Sequence, residues 1–344
     1  MKYDLEHINL LIEKLRSTQN FFLKEYEVED IFSNSKFYEI IIANQLNHIP
    51  IPGHSGSRDA IDEYKSLYEY KHFKKTSSNH TWTFNDFSDN LISHMHKYKF
   101  IFSHINDLNY AYPGIMDWYY EVPGKIIQEY LEGATQKIRN KRKMINVSPS
   151  QLERLGLSKI YPDINKISNY QGRFQKQLLE ISEVSYKLEK LTGVTKILTS
   201  NKLYELLVAL YLGHKVNSEN GGYEGSHDAE DDFGKTYEYK VYKSNLWNFQ
   251  DISDTVLDKY LLDEKIILAT VDKSNLIVQN IYSISPKDAV NLLYIKRNEK
   301  ARKAAQKGLE VRRLQISLSL KEISQMESFE IIKGYLSNSI DKKA

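Results

Sequence analysis

The 344-residue chain contains no cysteine, which excludes disulfides, thiolate metal sites and cysteine nucleophiles. Any metal must then sit on oxygen or imidazole, and a reducing compartment, the cytoplasm, is the expected location. Long apolar runs are missing as well. The longest, Leu203–Leu212, contains Glu205 and is far short of a membrane span, and the first, Ile8–Leu15, is broken by Glu13 and Lys14, unlike a signal peptide. No membrane association is expected. Proline is scarce, at seven, no tract is of low complexity, and 41% of residues are hydrophobic, so the composition is that of folded domains rather than a disordered chain. Charge of one sign is nearly absent from the total, at +2, which by itself announces no nucleic-acid binder.

The distribution of charge is less even than the total. Lys137, Arg139, Lys141, Arg142 and Lys143 crowd together, and a longer basic segment runs from Lys296 and Arg297 to Arg312 and Arg313. Solvated helix faces account for such runs as readily as a ligand surface does. The length suits two domains of about 100 to 200 residues each.

Comparing the chain with itself divides it. Lys36-Phe37-Tyr38-Glu39, followed by Ala43, Leu46 and His48, recurs as Lys202-Leu203-Tyr204-Glu205, followed by Ala209, Leu212 and His214, with identical spacing. Gly56-Ser57-Arg58-Asp59 parallels Gly225-Ser226-His227-Asp228, and Tyr68-Glu69-Tyr70-Lys71 returns unchanged as Tyr237-Glu238-Tyr239-Lys240. Trp82-Thr83-Phe84-Asn85 parallels Trp247-Asn248-Phe249-Gln250, Lys97-Tyr98 parallels Lys259-Tyr260, and Pro123 and Pro286 each open a helix that leads into a basic cluster and a β-like segment. The order never scrambles. The chain reads as a tandem duplication of helix, β-hairpin, helix, strands, helix and strand, with one domain at 1–157 and the other at 158–344.

Glu69 and Lys71 are two apart, so in a strand they share a face, and the polar stretch Glu63–Ser66 before them reads as a turn. A hairpin folded this way brings Asp59, Glu69 and Lys71 together, and likewise Asp228, Glu238 and Lys240. Paired carboxylates offer hard oxygen ligands to Mg²⁺, which keeps several waters and shares its remaining positions with substrate phosphate. The lysine can orient or help deprotonate a metal-bound water and neutralise charge on a phosphorane. That equipment suits phosphodiester hydrolysis. One Glu-x-Lys is a common accident in a chain that is 27% charged, but two copies, each with an aspartate ten residues before the glutamate, argue for function. Asp62 and Asp231 are rival carboxylates that would suit a tighter hairpin.

This pattern resembles the PD-(D/E)xK nuclease superfamily, and within it the PvuII-type restriction endonucleases. The resemblance spans most of each half, from Asp30-Ile31-Phe32 through both hairpins to the proline-opened helix and its basic tail. It implies an α/β (α+β) fold, two restriction-endonuclease-like domains, each with a central mixed sheet flanked by helices, related by a pseudo-twofold axis. It further implies Mg²⁺-dependent double-strand cleavage of DNA by a monomer acting as a pseudo-dimer, with a cognate methyltransferase protecting the host. Carried over by position, Asp59, Glu69, Asp228 and Glu238 would be metal ligands, Lys71 and Lys240 catalytic, and Tyr98 and Tyr260 tyrosines near the metal. An acidic residue that the family carries before the catalytic aspartate is matched by Glu224 but not by Ser55 or Gly56, so the two sites are expected to differ in metal affinity. The family's histidine-rich recognition segment is replaced by the Trp-x-Phe motif, so the recognised DNA sequence cannot be borrowed.

If the Trp-x-Phe segments are strands, they bury aromatics and present Thr83 and Asn85, or Asn248 and Gln250, as candidate base readers. Lys141, Arg142, Lys143, Arg312 and Arg313 would contact phosphate and set register. Further DNA-binding candidates are Asn34 and Ser200 ahead of the helices, Ser57 and Arg58 beside Asp59, and Ser226 and His227 beside Asp228. The reading is therefore a type II-like restriction endonuclease. Its rivals are a structure-specific or repair nuclease and a non-catalytic DNA-binding module.

Overall fold

The computed structural model describes residues 4–33, 36–52, 58–107, 115–136, 138, 143–162, 173–195, 197–198, 201–217, 227–306 and 314–334. Its architecture is mixed α and β, with helices beside sheets that combine parallel and antiparallel strands. No described helix is long and apolar enough to cross a membrane. The chain divides into two compact units, Glu13–Lys187, and Met1–Ile12 with Leu188–Ala344.

In the first of these units the strands are β1 (Ile49–Pro50), β2 (Ala60–Ile61), β3 (Leu67–Lys74), β4 (Trp82–Phe87), β5 (Lys99–Asn106), β6 (Ile115–Pro123) and β7 (Lys143–Val147). Five form a sheet in the order β1-β2-β3-β5-β6, in which β3 and β5 run parallel and the other neighbours antiparallel. The parallel step needs a crossover, supplied by β4 and the short helix Asp89–Ile92. β4 leaves the main sheet and pairs with β7 instead, so the β-like segment expected after the first basic cluster is a strand of a separate two-stranded sheet.

Alternation from Trp82 to Phe84, and an irregularity before Phe87 that returns that ring to the same side, explain why that small sheet sits where it does. Trp82, Phe84 and Phe87 are all buried and pack with Phe100, Phe102, Tyr120 and Val122 of the main sheet and with Ile127 and Leu131 of the helix Gly124–Thr135. Trp82 also donates its indole N–H to the Ser103 carbonyl at 2.8 Å, satisfying the one polar atom that its burial would otherwise strand. Helix Gly124–Thr135 follows Pro123, and its first residue must be glycine: a Cβ there would stand 1.8 Å from the Met95 carbonyl oxygen and 2.2 Å from that of Tyr98. The close approach lets the Gly124 N–H bond the Tyr98 carbonyl at 2.9 Å, anchoring the start of β5. The helix Gln175–Thr192 begins in this unit, where the Phe174 ring contacts Phe22 and Tyr26 and Asn44 bonds Gln175.

In the other unit the strands are β8 (Lys215–Val216), β9 (Ala229–Glu230), β10 (Thr236–Tyr242), β11 (Leu246–Phe249), β12 (Lys265–Asp272), β13 (Ile277–Ile284), β14 (Ile316–Ser319) and β15 (Glu330–Lys333). The main sheet runs β15-β13-β12-β10-β9-β8, again with one parallel pair, β10 and β12, and β11 pairs with β14. Trp247 and Phe249 are buried against Ile266, Leu268, Tyr282 and Ile284, and the Trp247 indole bonds the Ala269 carbonyl at 3.0 Å. Pro286 opens the helix Pro286–Ala305, capped by the Ser285 hydroxyl, which accepts from the Asp288 N–H at 3.1 Å.

Candidate active site

β2 and β3 form the hairpin that the spacing predicts. Ala60 pairs with Tyr68, and Asp59, one residue ahead of β2, donates its N–H to the Tyr68 carbonyl at 2.9 Å. Its carboxylate turns back across the hairpin, where Oδ2 accepts the Tyr70 N–H at 2.6 Å. Glu69 and Lys71 lie on the same face of β3, and the Lys71 ammonium donates to Glu69 Oε1 at 2.6 Å. Arg58 closes the other side of Glu69, its guanidinium 2.9 Å from Oε2 and 3.9 Å above the centre of the Tyr98 ring. Helix Lys36–Leu46 adds a further pair, Lys36 and Glu39, joined at 2.7 Å and interacting electrostatically with Asp59 and Glu69.

The other unit builds the same contacts from its own elements. Asp228 donates its N–H to the Tyr237 carbonyl at 3.0 Å and accepts the Tyr239 N–H on Oδ2 at 2.9 Å. Lys240 is bonded to Glu238 Oε1, and its ammonium stands 5.6 Å from the centre of the Tyr260 ring. From the helix Lys202–Leu212, Lys202 bridges Glu205 at 2.6 Å and Asp228 at 3.5 Å. The partner of His227 differs from that of Arg58: its Nδ1 lies 2.5 Å from Asp263 Oδ1.

The opposite face of each strand explains the repeated tyrosines. Tyr68 packs on the His48 ring at 4.2 Å between centroids while His48 Nδ1 meets the Tyr70 hydroxyl at 2.8 Å, and His214 does the same with Tyr237 (4.2 Å) and Tyr239 (2.7 Å). Burial lowers both imidazoles below their ordinary value of 6.5. These residues fasten the strand to the chain just beyond the helix. Glutamate and lysine are left facing the other way.

Burial and crowding set the charges. Burial pushes the Asp59 carboxyl well above the usual range, Glu39 and Glu69 push it further, and Lys71 and Lys36 oppose them. Glu205 is pushed up to about 7 by burial and by Asp228, and Glu238 to about 7 by burial, against the pull of Lys240. Burial alone would depress the Lys71 and Lys240 ammonium groups, yet the surrounding carboxylates raise both above the ordinary value of 10.5. Both lysines are therefore cationic at neutral pH, which suits charge stabilisation rather than proton abstraction. Tyr98 and Tyr260 are pushed up to about 12, chiefly by burial, and stay protonated.

Asp62 and Asp231, the rival carboxylates, are turn residues. Asp62 Oδ1 accepts from the Tyr64 and Ser66 N–H groups at 2.9 and 2.8 Å, and Asp231 Oδ1 accepts from Phe233 and Lys235, both at 2.9 Å. Those bonds together hold both carboxyls below their ordinary value, although burial, the largest single influence on each, acts in the opposite direction. Asp62→Ala should lower the melting temperature by a few degrees and leave any catalysis within a few fold, whereas Asp59→Ala should abolish it in that unit. Loss of activity in Asp62→Ala at unchanged melting temperature would reverse the assignment.

Among the candidate base readers, Asn85 and Gln250 are exposed, Gln250 lying just past β11, while Thr83 and Asn248 are half-buried. The Asn248 side-chain oxygen accepts the Ser317 hydroxyl, so its carbonyl is already engaged. Lys143 is nearly buried and paired with Asp89, and in the other basic segment Lys296, Arg297 and Lys300 bind Glu322, Asp254 and the Gln315 carbonyl. Asn34, Ser57, Lys141, Arg142, Ser200, Ser226, Arg312 and Arg313 lie outside the described residues. Sequence reasoning misses Lys36, Glu39, Lys202 and Glu205 as site residues. Their signal is the repeated Lys-x-Tyr-Glu, which by itself reads only as a helix face. No protein-family model matches the chain, and no curated protein matches it in sequence.

Proposed function

We propose that the chain is a Mg²⁺-dependent endonuclease of the PD-(D/E)xK kind, a tandem duplication whose two halves each cut one strand of duplex DNA at a defined sequence. The observation that carries this reading is the same constellation in both units: an aspartate bonded across the hairpin to the N–H between glutamate and lysine, and the lysine bonded to that glutamate. Chance surface charge does not reproduce six side chains and two backbone bonds in register.

A divalent cation fits the donor set. Each cluster gathers carboxylates whose burial, and next their mutual repulsion, raises protonation, the condition that a hard cation relieves. Among the described residues no three carboxylate or imidazole groups converge into a closed cage, so water and phosphate oxygens would complete the shell. Asp59 with Glu69, and Asp228 with Glu238, would hold the ion, which supplies Lewis acidity and an activated water. Lys71 and Lys240, as fixed ammonium groups, would stabilise charge growing on the scissile phosphate. The tyrosine hydroxyls, protonated at neutral pH, would donate to water or phosphate oxygen.

Incubating the protein with plasmid DNA and Mg²⁺, then sequencing the ends, tests the reading. Cleavage at one recurring sequence, lost in excess chelator and not supported by Ca²⁺, is the expected result. Cuts that follow branches or junctions instead would make it a structure-specific nuclease, and metal-independent binding without cleavage would make it a DNA-binding module.

A further inference from the structure

The two clusters differ in one charge. Around Glu69 stand Asp59 and Glu39 against Lys71, Lys36 and Arg58, three carboxylates to three cations, and both Glu69 oxygens are occupied, Oε1 by Lys71 at 2.6 Å and Oε2 by Arg58 at 2.9 Å. Among the described residues, Asp228 and Glu205 stand around Glu238 against Lys240 and Lys202, and Glu238 Oε2 accepts no hydrogen bond from any of them. His227 occupies the place of Arg58 but is drawn away by Asp263 at 2.5 Å.

The cause is visible in the register. Lys99 and Lys265 hold the same position opposite Tyr68 and Tyr237, but Tyr98 adjoins Lys99 whereas Leu261-Leu262-Asp263-Glu264 intervenes between Tyr260 and Lys265. That insertion brings the buried Asp263 carboxylate to the imidazole. Whether or not His227 is protonated, the His227–Asp263 pair adds no positive charge to the cluster.

We infer that Arg58 is a built-in counter-ion of the Asp59–Glu69 site, and that the two sites therefore take up divalent cation unequally, the Asp228–Glu238 site first. This rests on the reading of both clusters as cation sites. A cation approaching Glu238 meets three carboxylates against two ammonium groups and an Oε2 that accepts from no described residue. One approaching Glu69 must first displace a guanidinium held between the carboxylate and the Tyr98 ring. Once displaced from Glu69, Arg58 can meet a phosphate oxygen, so loading of that site is coupled to substrate.

Calorimetric titration of the full chain with Mn²⁺ alone tests this. Two classes of site are expected, separated by about tenfold or more, since one unit charge at contact distance is decisive in a partly buried cluster. E238Q should remove the tight class and E69Q the weak one. R58Q should tighten the weak class by about tenfold, while R58K, which keeps the charge, should not. A single class of two equal sites in the wild-type chain overturns the inference, and that titration needs no variant to fold. R58Q with native circular dichroism and an unchanged weak class overturns it as well. Equal sites in a chain that still cuts DNA sink the inequality and leave the nuclease reading; unequal sites in a chain that never cuts do the reverse; no Mn²⁺ binding at all sinks both.

Discussion

Lys71→Ala should turn a double-strand cutter into an enzyme that nicks one defined strand, and Lys240→Ala should nick the other. Both lysines are raised above 10.5 by the carboxylates around them, so each is a fixed positive charge aimed along its own strand face. Removing a group that stabilises transition-state charge costs about 10² to 10³ in rate, enough to separate nicking from linearisation of a plasmid. Each cluster is assembled from its own helix and hairpin, so the unaltered site should keep working. The substitutions are not equivalent in detail: without Lys71, Glu69 keeps Arg58, whereas without Lys240, Glu238 loses the ammonium that holds its Oε1. Lys240→Ala should therefore be the more damaging of the two. Since Thr83 and Asn85 differ from Asn248 and Gln250, the strand left intact by each variant should be identifiable within an asymmetric target sequence. Strand-resolved sequencing of the nicked product decides the matter. If either single substitution abolishes cutting of both strands, the sites are not independent and the assignment of one site to one strand is wrong.

What can be read from the sequence follows the range of the forces involved. Period-2 alternation is local, so Glu69 with Lys71, the buried Trp82 and Phe84, and the turn at Glu63–Ser66 are all legible in the order of residues alone. The pairing of β4 with β7 is not, because two short strands carry no signal naming their partner, and only the fit of Trp82 against Phe102 and Tyr120 selects it. The contribution of the helix to the site is hidden for another reason. Lys36 and Glu39 are three apart and satisfy each other as an ordinary helix pair, and only tertiary packing brings them to Asp59. Arg58 and His227, being basic and next to a candidate metal ligand, read in sequence as candidates for contacting DNA. Whether such a side chain faces outward or turns onto a carboxylate depends on partners distant in sequence, Tyr98 for one and Asp263 for the other. The roles of Asp59 against Asp62 are likewise undecidable from spacing. Both precede Glu69 at distances a hairpin can accommodate, and it takes the folded hairpin to show that Asp62 Oδ1 is engaged by the Tyr64 and Ser66 N–H groups.

The crowded carboxylates make a second large effect measurable without DNA. In chelator, E238Q should gain stability over the wild-type chain progressively as pH rises from about 4.5 to about 7. Burial gives Glu238 a folded-state value of about 7 against an ordinary 4.5, and Glu205, pushed to about 7 by burial and by Asp228, behaves alike. Between those limits the unfolded chain has released the proton while the native one retains it. The native state then binds more protons, so unfolding becomes easier as pH rises, and above about 7 the full penalty is present. For Glu238, a rise from 4.5 to about 7 makes the loss on the order of 3 kcal/mol. Glu205, Asp59 and Asp263, also raised by burial, slope the same way but are common to both chains. Asp231, held below its ordinary value by its turn bonds, acts at lower pH, and His214, lowered by burial, gives a slope of opposite sign below 6.5. Comparing wild type with E238Q cancels these contributions. Saturating Mg²⁺ should erase the difference in pH slope by neutralising Glu238 without a proton, so denaturant titrations at each pH, with and without the ion, give the effect twice. Parallel stability curves for wild type and E238Q across this window in chelator would show that Glu238 is already ionised in the native protein, and that the strain attributed to its cluster is absent.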